Sequence, residues 1–184
     1  MILGFYGIAD DSYPDVEGQA RLLWEGGVEA IQLRCKGWTT EARVRLVERL
    51  PRGPRWIVND DVAAARACGA WAHLGRGDGE DPRGVRFGRS THAAEEAGAP
   101  GSASYIGFGP VFATRTKRSG REARGLVGLA AAVRASPVPV VAIGGIALDN
   151  LDGVRATGVA AWTAIEAVWG HPDPAAQIRA FRAR

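Results

Sequence analysis

Short apolar runs and longer stretches of helically spaced apolar residues take turns along the chain. The runs are "ILGFYGIA" (2–9), "AIQLRC" (30–35), "RWIVN" (55–59), "WAHLG" (71–75), "VRFGRS" (85–90), "YIGFGPV" (105–111), "VPVVAIGG" (138–145) and "VAAWTA" (159–164). Their length and their bounding Gly, Pro and Asn predict strands. Helical spacing fills 15–26, 39–50, 61–69, 92–98, 125–135, 149–157 and 173–183. "DVEGQARLLWEGG" closes on Gly-Gly, and "TTEARVRLVERLP" opens on a capping Thr and stops at Pro. Near-continuous apolar strands separated by helices predict a parallel sheet covered by helices. Eight such units predict a closed (β/α)8 TIM barrel; the rival arrangement is an open doubly wound sheet. "DGEDPRGV" (78–85) is too short and too rich in Gly and Pro for a full helix. The helix after the fourth strand is therefore expected to be reduced or missing. Without a linker or low-complexity segment, residues 1–184 read as one compact domain.

In such a barrel, chemistry collects where strands end. The second strand ends in "IQLRCK", so Gln32, Arg34 and Lys36 share one face by period-two geometry. Two inward cations need an anionic partner, either a ligand or a neighbouring carboxylate. The third strand ends in "VNDD". Asp61 opens a helix, where a carboxylate serves as a cap. Asn59 and Asp60 stay at the strand tip, and Asp78 in "HLGRGD" stands above the next strand. Two carboxylates from adjacent loops suit Mg²⁺, which takes one or two carboxylates with phosphate oxygens and water.

The fifth strand ends in "GRSTH". There Ser90 can cap a helix or bind an anion, and His92 starts the next helix in a structural or a catalytic role. "GFGPVF" runs into "ATRTK", which brings Thr114, Thr116 and Lys117 to the mouth, and then into "RSGREARG", a polar, basic stretch suited to a closing lid. Gly144 and Gly145 end the seventh strand, where backbone N–H groups can approach a phosphate or simply make a tight turn.

Composition narrows the classes. Apolar residues make up 46% and charged residues 23%, with a net charge of +3. No run of about 18 apolar residues predicts a membrane span, and the N-terminus lacks the form of a secretory signal. The arginines are scattered rather than gathered on a basic helix, which argues against a nucleic-acid partner. Cys35 and Cys68 lack metal-site spacing and read as reduced thiols of a cytoplasmic protein.

"IQLRCK", "IVNDDVAAARACGAWAHLGRGD", "GRSTHAAEEA", "YIGFGPVFATRTK", "PVVAIGGI" and "WTAI" follow in the order seen in thiamine phosphate synthases. The chain resembles that family, and its sister thiazole tautomerases, over nearly its whole length. The resemblance implies a Mg²⁺-dependent transferase of thiamine biosynthesis. Such an enzyme joins 4-amino-2-methyl-5-(diphosphooxymethyl)pyrimidine to a thiazole phosphate, releasing pyrophosphate by dissociative displacement. It implies Gln32, Arg34 and Lys36 at the diphosphate and pyrimidine, with Asn59, Ser90 and Lys117 as further contacts. Asp60 and Asp78 would hold the metal. Thr114, Thr116, Gly145, Trp162 and Thr163 would hold the thiazole phosphate. Arg34, Lys36 and Lys117 would stabilise the leaving group.

The chain departs from the family at Arg76, where Gln is usual, at Arg89 before the Ser, and at Trp162 and Thr163. The Trp162 indole would narrow the thiazole pocket. Retention of the acidic pair and of Thr-x-Thr-Lys favours the synthase. The alternatives are a metal-independent tautomerase using His92, or a non-catalytic barrel that binds a phosphorylated ligand. A homodimer would be unsurprising for a barrel short of part of its outer layer.

Overall fold

The computed structural model describes residues 2–75, 82–114 and 122–184. Among them every strand pairing is parallel. The first predicted strand is two segments, β1 (Gly4–Phe5) and β2 (Gly7–Asp10), which part company at Tyr6. The others are β3 (Ala30–Arg34), β4 (Arg55–Asn59), β5 (Trp71–Leu74), β6 (Phe87–Thr91), β7 (Tyr105–Phe108), β8 (Val140–Ala142) and β9 (Ala161–Trp162). The order β1-β9-β8-β7-β6-β5-β4-β3-β2 starts and ends on the same chain segment. β1 pairs with β9 and β2 with β3, so the sheet closes on itself as the sequence predicts. Tyr6 N donates to Trp162 O at 2.8 Å across the seam.

The helices are α1 (Val16–Glu25), α2 (Thr40–Arg49), α3 (Val62–Cys68), α4 (Ala94–Gly98), α5 (Gly125–Ala135), α6 (Leu151–Ala156), α7 (Glu166–Trp169) and α8 (Pro174–Arg182). Their starts follow local chemistry. Asp15, Thr39, Asp61 and Asp173 each accept a backbone N–H from the first turn of α1, α2, α3 and α8. α7 is absent from the sequence reading because four residues are too few to show a period. Residues 83–85 form a turn and bend leading into β6. The expected loss of the fourth helix also concerns 76–81, outside the described residues. No helix among the described residues is long and apolar enough to cross a membrane.

Alternation sorts each strand into two faces. Ile31 and Leu33, Trp56 and Val58, Ala72 and Leu74, and Phe87 face outward into the layer shared with the helices. Ile8, Ala30, Ile57, Tyr105, Val141 and Ala161 fill the barrel interior with Tyr6. The outer layer is the larger reservoir of buried apolar surface. It includes a stack between Phe5 and Phe181 with centroids 5.1 Å apart, which fastens α8 to the barrel. Both cysteines are free thiols; Cys35 is buried, and burial pushes its pKa up to about 12.

Phe181 is fully buried. Phe181→Ala should lower unfolding stability by about 3–5 kcal/mol, read as a lower urea midpoint at unchanged slope.

Candidate active site

The C-terminal ends of the strands surround a cavity of about 340 Å³, lined by Arg34, Lys36, Ser90, His92, Thr114, Gly144, Gly145 and Thr163 among others. This is within the range that accommodates one small ligand. Below it, Gln32, Asn59, His73, Ser90 and Tyr105 line a smaller space deeper in the barrel.

Arg34 meets the neighbouring carboxylate that its inward position calls for. Its guanidinium donates to Asp10 Oδ2 at 2.6 Å while the residue still lines the cavity. Asp10 is fully buried and also accepts from Ser12 N and Ser12 Oγ at 2.9 and 2.6 Å. The Asp10 backbone N–H donates to Gln19 Oε1 at 2.9 Å. The β2–β3 register sets Asp10 opposite Arg34, which explains the pairing. The carboxylate holds the guanidinium against the wall at the edge of the cavity.

The three residues at the tip of β4 diverge. Asn59 turns into the barrel and is buried. Asp60 is exposed, with φ at 57°, and its N–H donates to His73 O at 2.9 Å. Asp61 caps α3 through Ala64 N at 2.7 Å, accepts from Thr40 Oγ1 at 2.9 Å and pairs with Arg43 at 3.1 Å. The Asp61 carboxylate is thus committed to the fold, and Asp60 is exposed at the strand tip. Asp78, Thr116, Lys117 and the first half of the expected lid lie outside the described residues, as does Arg76.

Gly144 and Gly145 have φ of +104° and +64°. A Cβ on Gly145 would lie 2.5 Å from Ala113 O. The turn thus packs against the segment leading to Thr114, and only glycine fits there. Asn150 Nδ2 donates to Gly145 O at 3.0 Å and clips the turn in place. His92 Nδ1 lies 2.6 Å from Gly109 O. A carbonyl only accepts, so Nδ1 carries a proton.

Three buried polar side chains face this space without a hydrogen bond among the described residues: Gln32, Asn59 and Thr163. The Thr163 Oγ1 is fully enclosed and unpartnered. Burying such groups is costly unless a ligand completes them.

The structure corrects one expectation. The Trp162 indole belongs to the outer layer, with Arg155 over its ring at 5.7 Å, and does not line the cavity. Period two turns it away from Thr163, so it does not narrow the pocket. Arg89 is likewise turned to the face opposite Ser90, over the Phe87 ring at 5.6 Å.

The sequence reading missed a polar column inside the barrel. Tyr6 OH and Tyr105 OH are 2.9 Å apart, His73 Nδ1 is 2.9 Å from Tyr105 OH, and His73 Nε2 is 3.0 Å from Ser90 Oγ. The alternation in "WAHLG" puts His73 inward, and that signal was there to use. Gly88 makes the column possible, since a Cβ on it would sit 2.1 Å from the Tyr105 ring.

A parallel barrel with a cationic, glycine-edged mouth defines a class of enzymes for phosphorylated small molecules. Comparison with known proteins narrows the class. Residues 5–168 match the family model described as thiamine monophosphate synthase. The thiamine-phosphate synthase of Anaeromyxobacter dehalogenans is 39% identical over 183 residues, covering 92% of this chain and 82% of the relative. That of Methanoregula boonei is 39% identical over 180 residues, covering 90% and 83%. The solved thiamine phosphate pyrophosphorylase of Pyrococcus furiosus superposes with a TM-score of 0.84 at 32% identity, covering 98% of this chain and 94% of that one. The chain belongs to the thiamine monophosphate synthase family.

Removing Asp10 leaves Arg34 half-desolvated, so Asp10→Ala should cost about 3 kcal/mol of unfolding stability. This is the low end for a broken buried pair, because Arg34 keeps access to the cavity. Burial holds the Tyr6 and Tyr105 phenols well above their usual range, and burial also raises Tyr13. A raised folded pKa gives stability that is complete below the unfolded value of about 10 and is lost as pH climbs above it. Ultraviolet titration of the folded protein should leave Tyr6 and Tyr105 un-ionised at pH 10, with their tyrosinate appearing together with alkaline unfolding.

Proposed function

We propose that the chain is a thiamine phosphate synthase, a transferase working in the cytoplasm on two phosphorylated small molecules. The observation that carries this is the convergence of Arg34, Lys36, Ser90, Thr114 and the Gly144–Gly145 turn on one cavity, in a member of this family. The C–O bond between the pyrimidine methylene and the diphosphate breaks, and its electron pair leaves with pyrophosphate. The electron-rich ring stabilises the resulting benzyl-like cation, and the thiazole nitrogen lone pair forms the new C–N bond. Neither step needs a protein nucleophile or base.

In this scheme Arg34, Lys36 and Lys117 meet the charge that builds on the leaving group. Gln32 and Asn59, buried and unpartnered among the described residues, take the pyrimidine's polar edge. Thr114, Thr116, Gly145 and Thr163 take the thiazole phosphate. Holding the two substrates in line supplies much of the acceleration.

Among the described residues no three His, Cys, Asp or Glu gather into a metal cluster. A Mg²⁺ site built from few protein ligands does not require one. Asp60, exposed at the rim while Asp61 is spent on a cap, offers a hard oxygen donor of the right kind, and Asp78 would be the second. When bound, the ion would neutralise diphosphate charge.

Mixed with both substrates, the protein should form thiamine phosphate with equimolar pyrophosphate, and a chelator should stop it. Asp60→Ala should abolish turnover, and Arg34→Ala should lower it by about 10²-fold or more. Metal-independent thiazole isomerisation lost in His92→Ala would identify the tautomerase instead. Ligand-induced stabilisation with neither reaction would identify a non-catalytic binder.

A further inference from the structure

The column Tyr6–Tyr105–His73–Ser90 runs from the closed interior of the barrel to the wall of the cavity. Its direction is set by its closed end. Tyr6 is buried, and among the described residues its hydroxyl has one hydrogen-bond partner, Tyr105 OH. If Tyr105 donated to Tyr6, the Tyr6 proton would be left without an acceptor in the barrel interior. The satisfied arrangement is the reverse. Tyr6 donates to Tyr105, Tyr105 donates to His73 Nδ1, and His73 donates from Nε2 to Ser90 Oγ. Ser90 has then accepted its internal bond, and its own O–H is left to donate into the cavity it lines.

Taking the proposed function as its basis, we propose that this column fixes the polarity of Ser90, with His73 and Tyr105 as positioning residues that keep its hydroxyl a donor toward the departing diphosphate. Polarity matters because the leaving oxygen gains negative charge. An O–H aimed at it lowers the barrier, whereas a lone pair aimed at it raises the barrier. The role is orientation and not proton delivery. A net shift of protons along the column would leave a tyrosinate in the interior, where burial raises both phenols far above neutrality. The geometry is built in. Gly88 opens the space for the Tyr105 ring, and the His73 Cε1 comes within 3.3 Å of where a Gly107 Cβ would be.

The test reads the tautomer directly. The chain has three histidines, so ¹⁵N-histidine-labelled protein gives few signals, and His73→Gln assigns the one of interest. Long-range ¹H–¹⁵N correlation at neutral pH should show His73 protonated on Nε2 alone. A proton on Nδ1, alone or in a doubly protonated ring, would overturn the proposal. Calorimetric binding of Mg²⁺-pyrophosphate supplies the second arm, with melting curves confirming that the variants fold. Tyr105→Phe, which keeps the ring, should weaken binding by roughly tenfold, the scale of a hydrogen bond to a charged group. The same change in a Ser90→Ala background should have no further effect. Equal weakening in both backgrounds would mean a merely structural role and would sink the idea. If wild type binds no pyrophosphate, the synthase reading fails, and the tautomer still decides the direction of the column.

Discussion

The seam at Tyr6 is the constraint on which the molecule turns. One short segment must satisfy two neighbours, β9 before the break and β2's partner β3 after it. Once that ring closes, no strand can slip. A slip of one residue would move every inward side chain outward and expel the polar column into the apolar layer. Closure therefore does more than remove sheet edges. It fixes which residues may see a ligand, and it does so before any loop is considered.

Within that frame the interior is graded. The lower part is packed with Ile2, Ile8, Ile57 and Val141, and the upper part turns polar through Gln32, His73 and Asn59 to Arg34. Charge is admitted only at the rim, and the guanidinium there is anchored by a carboxylate as buried as any apolar residue. The helices contribute to this grading from outside. Asp61 ties α3 to α2 through Thr40 and Arg43 just beneath the rim, so the loop that carries Asp60 starts from a fixed point.

What could be read from sequence was whatever depends on local rules. "IQLRCK" disclosed an inward triad because alternation needs only neighbours in the chain. The separation of Asp60 from Asp61 followed from capping. What could not be read depends on register or on very short elements. Asp10 and Arg34 lie 24 positions apart, and nothing joins them until β2 and β3 are aligned. Trp162 was misplaced because adjacency to Thr163 outweighed the parity that separates them. His73 looked like an ordinary strand residue, since its partners come from the distant segments around Ser90 and Tyr105. α7 was too brief to leave a periodic trace.

Gly88 sits against the Tyr105 ring, and its missing side chain has a bearing on how the depth of the pocket can change. The Tyr105 ring, which helps line the deeper space, is an aromatic plate seated in a notch of backbone. Trimming the plate would deepen the chamber without disturbing its walls, whereas filling the notch would push the plate upward into the chamber. Substrate size is therefore adjustable along one axis only. Any barrel that diverged from this one toward bulkier heterocycles would be expected to carry its change at position 105 and not at the strands around it.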